Sequence, residues 1–470
     1  MESNDSPPSL RAQARSQRQQ AGLEALIALA QPVRLISPSV IDLAVKVEGD
    51  AVPGNIRPGT VAPVRRHGGR DRLAGGDGPT DLPPGEAPTG PLSHQYPIPL
   101  VRFTPRRWLI ILPAVIILAG SAYLHREHFE TVLTRVPWMA GIWAFTLSMA
   151  LAQLVLSWWQ KPYTVTARQR KALDYARVTV VIPCYNEDPA ILDRTIYALS
   201  QQTRLPQHVV VVDDGSKKVD YSGIREWWQR GFPGEFTWIR QDNAGKKHAQ
   251  VAGFSTDSAA DIFVTIDSDS ALTVQALEEG LKPFAQQEIV SVAGLESAYN
   301  FRRNVLTRAV AARSLSFQLF AMSAQSVAGG SVLINPGAFS LYRAWLIRRI
   351  IPAYIGETFL GVPVTLGDDT ALTTFALCHG KAVHQPTAVA LNVYPETLSH
   401  HLRQWTRWMR ASTIRTLWRI RYLPMHRWGW LYVAYSIWSF LNSIAVTAVI
   451  PMSWPAYIAA TSDSGISWQR

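Results

Sequence analysis

The chain has 470 residues and a formal net charge of +11, from 46 Lys and Arg against 35 Asp and Glu. This length exceeds that of one compact core, so several structural units are expected. A positive charge can indicate nucleic-acid binding, but the basic residues concentrate beside apolar segments and between Arg403 and Arg427. That distribution favours lipid headgroups and argues against nucleic acid as a partner. The two cysteines, Cys184 and Cys378, predict neither a disulfide framework nor a zinc site.

Residues 1–100 are rich in Pro, Gly and charge and have no apolar periodicity that could build a core. We predict that this segment is largely disordered. Fold and function are therefore expected from the residues that follow it.

Three segments lack charged residues over a length close to that of a membrane-spanning helix: Trp108–Leu124, Trp138–Trp159, and Leu431 to about Met452. Buried core helices are the alternative interpretation. Basic residues precede the first segment and follow the second, so the positive-inside rule places the region after the second span in the cytosol. We predict a plasma-membrane protein with two transmembrane helices in 101–160, a third in 429–453, and a C-terminal tail at 454–470.

The region 176–397 alternates short apolar runs with helical stretches, which is typical of a mostly parallel α/β sheet covered by helices. We predict strands at Val178–Ile182, Val209–Val212 and Ile262–Ile266, and a helix at Ile191–Gln201. Ligands of such sheets bind beyond the carboxyl ends of the strands.

A polar cluster follows each of these strands at once, namely Pro183–Glu187, Asp213–Ser216 and Asp267–Asp269. Clustered carboxylates repel one another, so a fold that gathers them usually does so around a metal or a proton transfer. We expect the three loops to converge on one edge of the sheet and to carry the chemistry.

The chain resembles the processive, membrane-embedded glycosyltransferases of family 2, above all the hyaluronan synthases, and is related in the same way to chitin and cellulose synthases. The resemblance covers about Val178 to Ser412 and rests on motifs in the family's order: PCYNE at 183–187, DDGS at 213–216, DNAGKKHAQ at 242–250, DSD at 267–269, NPGAFSLYR at 335–343, GDD at 367–369 and QWTRW at 404–408. It implies a cytosolic catalytic domain of the GT-A type, a Rossmann-like α/β fold, at 176–397.

The resemblance implies a UDP-sugar donor, and the residue chemistry suits one. Uracil needs a flat partner and hydrogen-bond acceptors, which Tyr185 and either Asp213 or Asp214 can supply, with Asn186 and Glu187 nearby. Core packing of Tyr185 and capping of a helix by the aspartates are the alternatives.

The phosphates and the metal are assigned to two further motifs. Lys246 and Lys247 follow a glycine turn and are expected to reach phosphate oxygens, although exposed lysines are often only solvated. Asp269 is the expected ligand of Mg²⁺ or Mn²⁺, since both prefer hard oxygen ligands. Asp267 is expected to contact the ribose or to assist the metal, and Ser268 to face the nucleotide sugar. A surface turn is the alternative for this motif.

By motif matching, Asp369 is the base that takes the proton of the acceptor hydroxyl, with Asp368 in support or with the two roles exchanged. Capping of the next helix by Asp368 is the alternative. An in-line displacement of this kind inverts the anomeric centre, so an α-linked UDP-sugar gives a β-linked product.

QWTRW lies in a basic amphipathic stretch, 398–428, of the kind found at membrane surfaces. The resemblance implies that Arg407 contacts the diphosphate and that Trp408, with Gln404, contacts the acceptor sugar. Guanidinium groups bind phosphate well and sugar faces stack on indole, so both roles are compatible with an interfacial helix.

We therefore predict a membrane-bound, inverting transferase that polymerises a β-linked polysaccharide, hyaluronan-like or chitin-like, from UDP-sugars. Transfer to a lipid-linked acceptor and an inactive scaffold subunit of a secretion complex are the alternatives. Only one span is predicted after the transfer region, fewer than the synthases have. A shortened chain, export through a partner or homo-oligomer, and no translocation therefore all stay open.

Overall fold

The computed structural model describes residues 137–423 and 429–441. Three predictions lie outside these residues: the disordered segment 1–100, the span Trp108–Leu124 and the tail 454–470. The predicted third span is described only as far as residue 441, where its first part belongs to a helix at 429–441.

The strands of the described region form one large sheet and one small hairpin. They are β1 (Val178–Cys184), β2 (His208–Asp213), β3 (Glu235–Arg240), β4 (Ile262–Thr265), β5 (Ala271–Leu272), β6 (Ile289–Ala298), β7 (Ser340–Arg343), β8 (Thr358–Phe359), β9 (Val362–Pro363) and β10 (Lys381–Asn392).

The large sheet has the order β3-β2-β1-β4-β7-β6-β10-β5, and β8 pairs only with β9. The neighbours from β3 to β4 run parallel, as do β6 and β10. Strand β7 is antiparallel to both of its neighbours, and β5 is antiparallel to β10. The predicted α/β fold with a mostly parallel sheet is confirmed, as are the three predicted strands, each within two residues at its ends.

The helices lie before, between and after the strands. They are α1 (Pro137–Ser157), α2 (Ala167–Asp174), α3 (Pro189–Ser200), α4 (Ser222–Gly231), α5 (Lys246–Ser255), α6 (Ala276–Leu281), α7 (Val305–Ser316), α8 (Ser323–Gly329), α9 (Ala344–Ile355), α10 (Asp368–His379) and α11 (Leu398–Tyr422). A π-helical turn at Phe317–Met322 joins α7 to α8.

The central strands are buried on both faces, which explains their mostly apolar sequences. In β1, Val180 and Ile182 belong to the core cluster on one face, while Val181 belongs to a second cluster on the other face, with Phe254 of α5 and Phe263 of β4. This alternation follows the two-residue period of a strand. A rigid, doubly covered sheet therefore supports the loops at its edge.

The predicted second span, Trp138–Trp159, forms α1, which leaves Leu151 and Val155 about half exposed. Within 137–423 and 429–441, none of the helices is both long enough and apolar enough to cross a bilayer.

Candidate active site

The carboxyl ends of β1 and β2 lie side by side. Cys184, the last residue of β1, pairs with Asp213, the last residue of β2, and Asp213 pairs in turn with Arg240 at the end of β3. The polar loops after β1 and β2 therefore start at the same level, as the sequence predicts.

Asn186 joins these two loops. Its backbone N–H donates to Ser216 Oγ (2.8 Å), and its side-chain oxygen accepts the amides of Lys217 and Lys218 (3.0 Å each). Its φ of 50° is left-handed, a conformation that asparagine tolerates better than most residues. Next to it, Tyr185 is 52% exposed. Tyr185 is thus available to a flat ligand and is not part of the core.

Asp213, at the end of β2, and Asp214, directly after it, are both buried, at 1% and 3% exposure. Asp213 accepts the Ser216 amide (2.9 Å) and lies 3.2 Å from an Arg240 nitrogen. Asp214 accepts the backbone amides of Ala244 (2.9 Å) and Gly245 (2.8 Å). Asp214 therefore fixes the loop that leads into α5, and its contact with a nucleotide stays a prediction.

Lys246 and Lys247 open α5 and point in different directions, because consecutive helical residues are about 100° apart. Lys246 Nζ lies 2.6 Å from Asp267 Oδ1 and 3.0 Å from Asp368 Oδ2. Lys247 is 5% exposed and donates to Glu357 in the interior. Of the two lysines, Lys246 is the one that lies beside Asp267 and Asp368, and the placement gives no support to the predicted phosphate contact of Lys247.

Side chains of helix α3 bind the backbone of the Asp267–Asp269 loop. The Arg194 guanidinium donates to the backbone oxygen of Asp269 (3.0 Å), and Thr195 Oγ1 donates to that of Ser268 (2.9 Å). The Ser268 hydroxyl donates to Glu187 (2.9 Å), which links this loop to the one after β1. Arg194 and Thr195 belong to no motif, although the polar run Asp193-Arg194-Thr195 between apolar residues on a helix is a signal for a buried polar contact.

Negative charge is in excess around this loop. Burial, followed by the charges of Asp267 and Glu187, raises the pKa of Asp269 to about 7. Burial, with Asp267 and Asp369 nearby, also raises the pKa of Glu296 to about 7. Glu296 lies near the end of β6 and was missed because it belongs to no motif; a single acid near the carboxyl end of a buried strand was the available signal.

This surplus of carboxylates suits a divalent cation. Within the described residues, no group of three or more His, Cys, Asp or Glu side chains forms a complete metal site. Magnesium, however, is commonly held by one or two carboxylates together with substrate phosphates. Asp269 and Asp267 fit that pattern, since a cation would relieve the repulsion that, after burial, raises the pKa of Asp269.

The GDD motif forms the start of α10. Gly367 is the N-cap residue, with a left-handed φ of 69°, and both aspartates lie in the first turn. The alternative in which Asp368 caps the helix is therefore wrong. A Cβ on Gly367 would lie 2.9 Å from the Cβ of Ala411, so the glycine also allows close packing against α11.

The two aspartates have different electrostatic environments. Burial opposes ionisation of Asp368, but the Lys246 ammonium outweighs it and lowers the pKa of this carboxyl. Gln250 also donates to Asp368, at 3.2 Å. Burial and then the charge of Asp368 raise the pKa of Asp369 to about 6. One carboxylate of the pair is thus fixed in its charged form, and the other can exchange a proton near neutral pH.

The QWTRW motif lies on α11, next to the GDD loop. Arg407 lines an open cavity of about 520 Å³ together with Leu366, the residue before Gly367. Trp408 is 40% exposed. The buried side-chain oxygen of Gln404 has no hydrogen-bond partner among the described residues.

An arginine of α7, which the sequence analysis did not identify, covers the motif's indoles. Arg313 lies 4.4 Å from the ring centroid of Trp405 and 5.9 Å from that of Trp408. The two indoles meet edge to face at 6.4 Å. Cation–π contacts of this kind fix the orientation of the rings.

The NPGAFSLYR segment also approaches the carboxylates. A Cβ on Gly337 would lie 3.0 Å from Asp267 Oδ2 and 3.4 Å from Lys246 Nζ. This segment therefore lies directly beside Asp267 and Lys246.

A comparison with protein-family models identifies the family of this chain. A model described as glycosyltransferase like family 2 matches residues 176–411. Hyaluronan synthase from Streptococcus pyogenes is 33% identical over 315 residues, 65% of this chain and 71% of that protein. An N-acetylglucosaminyltransferase from Neorhizobium galegae is 26% identical over 343 residues, 68% of this chain and 78% of that protein. A solved mannosyltransferase from Pyrobaculum calidifontis, in complex with GDP-Man and Mn²⁺, is 21% identical with a TM-score of 0.47, covering 71% of this chain and 92% of that chain. The chain belongs to glycosyltransferase family 2.

Proposed function

We propose that this glycosyltransferase uses UDP-sugars and extends a β-linked polysaccharide at the cytosolic face of the plasma membrane. The observation that carries the proposal is the pair Asp368 and Asp369, which have opposite pKa shifts beside the Asp267–Asp269 loop. Neighbouring titratable groups whose environments separate their pKa values mark acid–base assignments in enzymes.

Asp369 is the proposed base. Its raised pKa, about 6, leaves it mostly ionised at neutral pH yet basic enough to accept the proton of a sugar hydroxyl. Asp368, held by Lys246 at 3.0 Å, stays charged and orients the loop. Direct attack of the acceptor on the anomeric carbon needs no covalent enzyme intermediate and gives inversion.

The donor would lie over the ends of β1, β2 and β4. The exposed Tyr185 side chain would stack on the uracil, Asp213 would supply a carboxylate at the end of β2, and Lys246 would contact the diphosphate. Asp269 and Asp267 would hold Mg²⁺ or Mn²⁺, which supplies charge neutralisation for the departing diphosphate.

The acceptor would lie against α11. The Gln404 side-chain oxygen, which has no partner within the described part of the chain, would bind a sugar hydroxyl, Trp408 presents an exposed side chain, and Arg407 lines the cavity beside the GDD loop. These groups suit a carbohydrate chain, and the intact carboxylates give no support to an inactive scaffold.

The proposed membrane location is supported by exposed apolar side chains at the start of the described region. On α1 and just after it they are Phe145, Leu147, Leu151, Val155, Trp158 and Trp159. Such a concentration of exposed apolar surface suits lipid better than water.

The test is transfer by membranes that contain the full chain, supplied with single and paired radiolabelled UDP-sugars with and without Mn²⁺ or Mg²⁺. A large product that needs two donors would support a hyaluronan-like polymer, and one made from a single donor would support a chitin-like or cellulose-like polymer. A butanol-extractable product would favour a lipid-linked acceptor. Absence of transfer from every UDP-sugar would refute the proposal.

A further inference from the structure

A buried ion-pair cluster contacts the backbone just before Asp368 and takes no direct part in the proposed sugar transfer. It consists of Lys247, Glu357 and Arg415, which are 5%, 5% and 0% exposed. The Arg415 guanidinium binds both carboxylate oxygens of Glu357, each at 2.7 Å, and Lys247 donates to the same carboxylate. The three residues come from the start of α5, the residue before β8, and α11.

The cluster also binds backbone on both sides of the β8–β9 hairpin. Lys247 Nζ donates to the Val364 oxygen at 2.7 Å, and the Val364 amide donates to the Glu357 oxygen at 2.9 Å, which closes the hairpin. Arg415 reaches the carbonyls of Leu366 (3.2 Å) and Gly367 (3.3 Å). Those carbonyls belong to the two residues that immediately precede Asp368.

Stability alone is a weak explanation for such a cluster. Removing charges from water costs several kcal/mol per ion, and buried ion pairs often add little net stability compared with apolar residues. A bidentate guanidinium does, however, fix geometry, because its planar fork matches a carboxylate in one orientation. The contacts with Leu366 and Gly367 carry that geometry to the start of α10.

We propose that Lys247, Glu357 and Arg415 are positioning residues. They hold the backbone of the GDD motif, and with it Asp369, in a fixed position relative to the Asp267–Asp269 loop. The inference rests on the proposed role of Asp369 as base. The two lysines at the start of α5 then have different roles. Lys246 pairs with Asp267 and Asp368 in the site, while Lys247 pairs with Glu357 and fixes the β8–β9 hairpin. Arg415 connects the same carboxylate to the helix that carries QWTRW.

The decisive variant is Arg415→Lys, which keeps the positive charge and removes the fork. We expect kcat to fall roughly 10- to 100-fold, the loss typical of a catalytic group displaced by about 1 Å, with the KM for the UDP-sugar changed less than about threefold. Amide hydrogen exchange should become faster in the peptide covering 364–372 and should stay unchanged in β1 and β2. Glu357→Gln should give the same pattern, and it replaces Arg415→Lys as the test if that variant does not fold.

Arg177→Lys is the matched control. Arg177 also pairs with two carboxylates, Asp257 and Glu235, but it lies just before β1, at the amino-terminal edge of the sheet opposite the candidate site. This variant should keep the wild-type kcat and the wild-type exchange in 364–372.

Folded Arg415→Lys protein with wild-type kcat, or with a raised KM at unchanged kcat, would overturn the inference. If the wild-type protein transfers no sugar from any donor, the proposed function is refuted, whereas the positioning inference can still be tested. Hydrogen exchange then decides the inference alone: unchanged protection of 364–372 in both variants overturns it, and selective loss of protection upholds the anchoring.

Discussion

Asp368 and Asp369 are adjacent in the first turn of α10, yet their carboxyl groups have opposite pKa shifts. The difference comes from Lys246, whose ammonium lies 3.0 Å from Asp368 Oδ2. Asp369 accepts its hydrogen bonds from Thr370, including the backbone amide at 2.7 Å. The pair therefore combines one permanently charged group with one group that can carry a proton.

Replacing Asp369 with Asn should reduce kcat by at least about 100-fold, because general-base catalysis contributes roughly 10²- to 10⁴-fold. The carboxamide keeps the shape of the side chain, so UDP affinity should stay near the wild-type value. Single-turnover transfer and UDP titration calorimetry measure the two quantities. Asp174→Asn, which changes an exposed carboxylate of α2, is the control. A normal turnover rate for Asp369→Asn would show that another residue is the base.

The pH profile of kcat should rise as the pH passes through about 6, since Asp369 must lose its proton to act. Replacing Asp368 with Asn removes the negative charge that raises the pKa of Asp369, so the rising limb should move to lower pH. The measurement is kcat at saturating donor between pH 5 and 8 on the two proteins, where that range is a rough choice around the pKa. A limb that moves upward would contradict the assigned interaction.

The sheet and the main motifs could be predicted from sequence because each depends on local pattern. Val209–Val212 is a continuous apolar run and Val178–Ile182 is interrupted only by Thr179, and the polar residues after them must lie at the edge where parallel strands end. Which of Lys246 and Lys247 faces the site could not be predicted in the same way. Their sequence context is nearly the same, and distant partners distinguish them: Asp267 and Asp368 for Lys246, and Glu357, 110 residues away, for Lys247.

Glu296 and Arg313 show the same limit. Neither belongs to a motif, and each acquires its role from a tertiary contact: Glu296 from the charges of Asp267 and Asp369, and Arg313 from the indoles of α11. Sequence spacing carries no signal for such long-range pairs. Their identification depends on the packing of β6 and α7 against the site.

Metal affinity should increase with pH, because the Asp269 carboxyl, with a pKa raised to about 7, must be ionised to bind a cation. Calorimetric titration of Mn²⁺ in the presence of UDP should therefore give a lower Kd at alkaline than at acidic pH, with proton release near neutrality. Asp269→Asn should abolish this pH dependence. Glu288→Gln, an exposed carboxylate change, should not alter it. Tight Mn²⁺ binding by the Asp269→Asn variant at every pH would show that Asp269 is not a metal ligand.

Gly367→Ala should destabilise the fold and reduce transfer, for two separable reasons. The left-handed φ of 69° disfavours any residue with a Cβ, and the added Cβ would lie 2.9 Å from that of Ala411. Gly361→Ala isolates the first reason, since Gly361 has φ +83° and nothing within 4 Å of an added Cβ. Each variant should lose about 1 kcal/mol or more of unfolding free energy through the backbone, and Gly367→Ala should lose more, because α11 and the GDD loop must move apart. Denaturant unfolding and kcat should therefore separate the two variants, and equal stability with equal activity would refute the close packing of Gly367 on Ala411.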